Sequence, residues 1–244
     1  MPGGFLIGGE MSVAAVTSRR SAAGAGPLSV AGDRLGRMTS DGGHQQGAGV
    51  DWDAQSGTFD EEPDHGLRDP GVRGAWAARL RDWLPGQPAD LLDVGCGTGS
   101  LSLVASEQGH RVTGVDLAPG MVDRARTKLA GRDAVFLVGD AAAPPVGEQR
   151  FDVLLTRHVL WTLPDPGRVL RHWRGLLRPG GRLVLVEGVW GTLSPVGIPA
   201  ERMAALLRPL LSDPDDLRVE PLSHDPLLWG REVDDERYAV VARF

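Results

Sequence analysis

The sequence predicts an α/β fold: a doubly wound, mostly parallel sheet with an N-terminal helical cap segment. Three observations lead there. Between residues 89 and 188, short apolar runs alternate with helical segments, the pattern of strand–helix units whose sheet is covered on both faces. A glycine-rich turn, Gly95-Cys96-Gly97-Thr98-Gly99, separates the first apolar run from the first of those helices. The chemically informative residues then recur just after successive strands, where open α/β sheets bind their ligands.

Residues 1–49 are rich in Gly, Ala and Ser and show no lasting period, so they read as a disordered tail; Met11 and Met38 offer alternative starts within it. Residues 50–88 carry the large apolar anchors Trp52, Phe59, Trp76 and Trp83 and form the cap segment before a core at 89–244. Trp76, Leu80 and Trp83 share one helical face, and Pro85-Gly86 ends that helix. Strands are expected at 89–94, 111–116, 134–138, 151–156 and 181–187, with helices at 99–108, 118–130 and 166–177. Ala200–Leu207 reads as a further helix, and Leu217–Glu220 and Glu236–Arg243 as closing strands.

The run Leu91-Leu92-Asp93-Val94-Gly95-Cys96-Gly97-Thr98-Gly99-Ser100 is a strand, a tight turn and a helix start. Glycines allow positive φ and let a ligand approach without a Cβ in the way, and the helix start offers unpaired N–H groups. A second strand ends in Asp116, whose carboxylate suits the hydroxyls of a ribose. A dinucleotide turn would need G-x-G-x-x-G, and its third glycine is here Ser100. The turn Asp93–Ser100 with Val115-Asp116 resembles motif I and its acidic partner in class I S-adenosylmethionine-dependent methyltransferases.

That resemblance implies a Rossmann-like fold, S-adenosyl-L-methionine as cofactor, and methyl transfer to a small-molecule acceptor. It implies cofactor contacts at Asp93, Gly95, Cys96, Gly97, Thr98 and Gly99 of the turn, Asp116, Leu117 and Met121 after the second strand, and Asp140 and Ala141 after the third. Asp140 is expected at the adenine amine, because an acceptor-only carboxylate suits an N–H donor. Thr156 and Arg157 after the fourth strand complete the implied cofactor contacts, and His158 beside them is the candidate catalytic base, an imidazole able to take a proton near neutral pH. Phe59 and His65 of the cap, with Trp161 and Trp190, are expected around the acceptor. Two alternatives stand beside this reading: an NAD-dependent oxidoreductase, and a non-catalytic nucleoside-binding module of the same fold.

Composition narrows the class further. The formal net charge of −6 argues against a nucleic-acid partner, and no apolar run is long enough for a membrane span. The single cysteine, Cys96, forbids an intrachain disulfide and reads as a small apolar filler. The six histidines are scattered without paired spacing, so no metal site is expected. Ser18-Arg19-Arg20-Ser21 is followed by too little apolar sequence for an export signal, which places the protein in the cytoplasm. Lys128 is the only lysine, a bias that points to a GC-rich genome. Monomer and homodimer are both open.

Overall fold

The computed structural model describes residues 51–191 and 195–244; the tail expected at 1–49 lies outside them. In chain order the elements are α1 (Trp52–Gln55), α2 (Pro63–Gly66), α3 (Pro70–Trp83), β1 (Asp90–Val94), α4 (Ser100–Glu107), β2 (Arg111–Asp116), α5 (Pro119–Lys128), β3 (Ala134–Val138), β4 (Phe151–Arg157), α6 (Pro166–Gly175), β5 (Leu177–Trp190), β6 (Val196–Gly197), α7 (Ala200–Leu207), β7 (Leu217–Pro221), α8 (Pro226–Trp229) and β8 (Glu236–Arg243).

The strands form one sheet in the order β3-β2-β1-β4-β5-β8-β7, with β6 paired to β5. Strands β1 to β5 are parallel, and β8 runs antiparallel to β5 and β7. Both faces are covered, which explains why the strands read as continuous apolar runs rather than alternating ones. Leu91, Val153, Leu155, Val184 and Val186 enter a core with Trp76, Leu80, Trp83 and Leu101. Their neighbours Leu92, Leu154, Leu183 and Leu185 enter the opposite core with Leu170, Trp173, Met203 and Leu207. The chain winds outward in two directions from the β1–β4 pair, so the switch in strand order falls at the carboxyl ends of β1 and β4.

Helix α3 starts where Asp69 accepts the N–H groups of Gly71 and Val72, with Pro70 in the first turn. The face predicted for it is fully buried: Trp76, Leu80 and Trp83 are all 0% exposed. Strand β5 is longer than expected, because its ladder with β4 resumes after a register shift and takes in the Arg178–Gly181 turn. β6 and α8, with 2 and 4 residues, are too short to carry a period in the sequence. Trp229 fixes α8 through its indole N–H to the Leu222 carbonyl, 3.0 Å away.

Candidate active site

The glycine turn is held against the end of β2 by backbone and carboxylate together. Gly95 and Cys96 donate their N–H groups to the Val115 carbonyl at 2.7 and 3.1 Å. Asp116 accepts from Gly97 N–H at 2.8 Å and from Ala118 N–H at 3.0 Å. Gly95, Gly97 and Gly99 have φ of 68°, 53° and 79°, so the turn needs glycine at all three positions. Burial raises the Asp116 pKa, opposed by these N–H bonds. Its oxygens still have lone pairs to offer, since each can accept more than one hydrogen bond. Next to it, Leu117 is 56% exposed, an apolar shelf in continuation of β2. At the end of β3, Asp140 accepts from Ala142 N–H at 2.8 Å.

The cap lies directly over this turn. The Phe59 ring would meet a Cβ placed at Gly97 at 3.4 Å. Asp53 accepts Gly120 N–H at the start of α5, at 2.6 Å. Asp60 accepts the Thr98 hydroxyl, and Lys128 bridges Asp60, Thr98 and Ser100 at 2.9, 2.9 and 2.8 Å. The acidic stretch 60–64 is therefore turned inward in part, and the lone lysine is part of the site. His65 stacks on Phe59 with ring centroids 4.4 Å apart.

Beyond β4 the chain turns sharply. His158 has φ 60°, unusual for a side chain with a Cβ, and gives its N–H to the Val186 carbonyl at 2.9 Å. Its ring stands edge-on to Trp190 at 4.9 Å and is stacked on Trp229 at 6.1 Å. Trp161 lies 5.5 Å from Trp190, and the Arg237 guanidinium lies over both Trp190 and Trp229. Burial, then the charges of Arg157 and Arg237, push the His158 pKa well below the ordinary value of 6.5. The imidazole is thus neutral at physiological pH, and it does not titrate near neutrality as the sequence suggested.

Several residues expected at the cofactor also make bonds or contacts that hold the fold. Thr156 is 0% exposed and gives its hydroxyl hydrogen to the Val94 carbonyl at 2.8 Å, which ties β4 to β1. Asp93 is buried and accepts the Ser102 hydroxyl at 2.6 Å, tying β1 to α4; burial lifts its pKa to about 6. Arg157 donates to the Asp64 carbonyl and lies 5.1 Å over Trp76, so it serves the cap. Cys96 packs with Val122, Ala125, Leu129 and Phe136, and burial pushes its thiol pKa up; filler is what it is. Met121 is buried at 2% exposure on the inner side of α5. Asp53, Asp60, Lys128, Trp229 and Arg237, which pack around these residues, were not among the candidates read from the sequence, and Glu187 was noted only for its place after the fifth strand. The one available signal was Lys128, a lysine retained in a chain that otherwise uses arginine.

Among the described residues no His, Cys, Asp and Glu group could hold a metal ion, and no helix is long and apolar enough to cross a membrane. Two open clefts, of about 490 and 260 Å³, lie at the amino ends of the strands, away from this site; Arg182 and Arg243 line the larger and Asp90 and Arg111 the smaller.

A glycine turn and acidic strand ends at the switch point of a seven-strand path, with antiparallel β8 in it, define a nucleoside-binding α/β domain. Comparison with known proteins sharpens this. Residues 92–185 match the family described as the methyltransferase domain. This match, with the relatives and the fold below, supports a class I S-adenosylmethionine-dependent methyltransferase. It is similar to malonyl-[acyl-carrier protein] O-methyltransferase of Serratia marcescens, 36% identical over 113 residues, covering 46% of this chain and 43% of that protein. It is 33% identical to 27-O-demethylrifamycin SV methyltransferase of Amycolatopsis mediterranei over 156 residues, covering 62% of this chain and 53% of that protein. The chain thus spans about half the length of the curated relatives it matches. In fold it resembles the N-methyltransferase NodS of Bradyrhizobium japonicum in complex with S-adenosylhomocysteine. The TM-score is 0.59 at 18% identity, over 80% of this chain and 98% of that one.

Proposed function

We propose that this protein transfers a methyl group from S-adenosyl-L-methionine to an oxygen or nitrogen of a small-molecule acceptor, in the cytoplasm and in bacterial small-molecule metabolism. The observation that carries the reading is the pair of carboxylates, Asp116 and Asp140, at successive strand ends, with the exposed Leu117 next to Asp116. This set fits a nucleoside: Asp116 would accept the ribose hydroxyls, Leu117 would lie along the base, and Asp140 with the Ala141 backbone would meet the adenine edge. Ser100 argues against a nicotinamide dinucleotide, since its hydroxyl is engaged by Lys128 where that turn would need glycine.

When bound, S-adenosylmethionine supplies an electrophilic methyl on sulfonium, chemistry that calls for alignment more than activation. The chain's own residues provide the alignment and the proton acceptor. His158 stands against Trp190, which Trp161 meets, and in the proposed mode the Phe59–His65 stack of the cap completes the walls around a small acceptor. Neutral His158 has an Nε2 with no partner among the described residues, able to take the proton of an acceptor hydroxyl. Calorimetric titration with S-adenosylhomocysteine tests the cofactor half: micromolar binding is expected. No heat and no thermal shift at millimolar ligand would refute it. Transfer of a labelled methyl group to extracts of small molecules, followed by isolation of the product, tests the acceptor half.

A further inference from the structure

Among the described side chains, the polar atoms that are buried and without a partner are His110 Nδ1, His158 Nε2 and Glu187 Oε2. Two of these, His158 and Glu187, meet at one turn. Glu187 is 0% exposed near the end of β5. Its Oε1 accepts the N–H groups of Val159 at 3.0 Å and Leu160 at 2.8 Å, the two residues that follow His158. The carbonyl of the preceding Val186 accepts the His158 N–H. A non-glycine residue held at φ 60° is strained and persists only where its surroundings impose it.

The turn also changes which face the imidazole reaches. Leu154 and Leu155 of β4 point into opposite cores. Continued alternation would place His158 on the side of Leu154; instead its ring is stacked on Trp229, in the core of Leu155.

We propose that Glu187 is a positioning residue for His158: one carboxyl oxygen takes both N–H groups of the following turn and so holds the left-handed backbone that swings the imidazole onto Trp190 and Trp229. The functional value of this rests on the reading of His158 as the residue that faces the acceptor.

The second oxygen makes the device responsive to pH. Burial lifts the Glu187 pKa to about 8, with the N–H groups of Leu160, Val159 and Trp161 opposing. Below that value the carboxyl is neutral. Above it, charge appears beside an oxygen that nothing among the described residues bonds. The charged and titratable groups on the elements packed here are Tyr238, Glu236 and Arg237 of β8 and Arg157 and His158 of β4 and its exit turn; none of them donates to Oε2. The Tyr238 hydroxyl is spent on the Ile198 carbonyl at 2.6 Å. An unpaired buried carboxylate is costly enough to shift the turn that bonds it.

Imidazole resonances of the full chain, followed by nuclear magnetic resonance from pH 6 to 10, test this, with His158 identified by its loss in His158→Phe. The parent should show a His158 transition near pH 8. Glu187→Gln keeps the accepting oxygen, so its His158 signal should stay at the parent's low-pH position with the transition abolished. Glu187→Met should displace the signal at every pH. Three results overturn the proposal: no transition in the parent, a transition that survives in Glu187→Gln, or a folded Glu187→Met with His158 unmoved. Should Glu187→Met not fold, Glu187→Gln decides alone. Titration of S-adenosylhomocysteine into the same samples separates the two claims. A parent that fails to bind it removes the methyltransferase reading and leaves the Glu187–His158 result standing.

Discussion

The Lys128 ammonium lies 2.9 Å from the Asp60 carboxylate, and through that contact the C-terminal end of α5 holds the cap against the glycine turn. The same nitrogen reaches Thr98 Oγ1 and Ser100 Oγ, so its three donors meet three oxygens. Burial lowers the Lys128 pKa, with Asp60 restoring part of the loss. Lys128→Met should leave Asp60 without its cation and weaken S-adenosylhomocysteine binding about tenfold, the worth of one hydrogen bond to a charged group. Cleavage between residues 51 and 66 by added protease should quicken in parallel. Lys128→Arg should not rescue either measurement, because a planar fork cannot replace three tetrahedral donors. Unchanged affinity in Lys128→Met would mean that the cap contributes nothing to the cofactor site.

Asp116→Ala should weaken cofactor binding more than Asp140→Ala. Asp116 both meets the ribose in the proposed mode and ties Gly97 and Ala118 to β2. Each hydrogen bond to a charged group is worth about 1.5–3 kcal/mol, and a diol offers two. Asp140 is expected to accept one bond from the adenine amine, while Leu117 can still lie along the ring. Calorimetry on both variants checks the order; a worse lesion at Asp140 would reverse the assigned roles.

The parallel strands were legible because burial on both faces writes them as unbroken apolar runs, as in Leu91–Val94 and Val153–Leu155. The glycine turn and the acid that closes it were legible for a related reason: they lie within about twenty residues and share one spacing rule. What was hidden depends on long-range pairing. Lys128 meets Asp60 across the cap, and Glu187 meets Val159 across two strands, so no local pattern announces either. Thr156 and Arg157 sit where ligand contacts are expected, yet their partners, Val94 and Asp64, come from other segments. The left-handed turn at His158 had no signal because the residue is not glycine.

Glu187 also predicts a pH dependence of stability. Its folded pKa, about 8, lies above the ordinary 4.5, so between these values the unfolded chain has released a proton that the folded chain retains. The folded state then binds more protons, and stability falls as pH rises through that window. Glu187→Gln removes the term while keeping an acceptor for Val159 and Leu160. Its melting temperature should exceed the parent's by a margin that widens from pH 5 to 8 and then levels, reaching at least about 4 °C for a gain of about 2 kcal/mol. Asp93, lifted to about 6, adds a smaller fall in the same direction at lower pH. Parallel melting curves for parent and Glu187→Gln across pH 5–9 would contradict the raised value.

His158→Ala is the sharpest test of the acceptor side. Nε2 is buried without a partner among the described residues, and the ring is held between Trp190 and Trp229. If it takes the proton of a hydroxyl acceptor, its loss should lower kcat by about 10²–10⁴, the usual worth of a general base. Affinity for S-adenosylhomocysteine should barely move, because the residues assigned to the nucleoside lie on β1, β2 and β3. Because the His158 pKa is pushed well below 6.5, its own ionisation limb should fall on the acidic side, with no rise in rate assignable to it near neutrality. Any rise at higher pH then belongs to the acceptor or to Glu187. Removing the side chain also relieves little of the strain at φ 60°, since alanine still carries a Cβ; His158→Gly would relieve it. The two variants therefore separate chemistry from conformation. Equal losses of kcat in both assign the effect to the imidazole. A loss in His158→Ala that His158→Gly restores assigns it to the turn. Turnover unchanged in both would leave alignment by the cap and the aromatic cluster as the catalytic device.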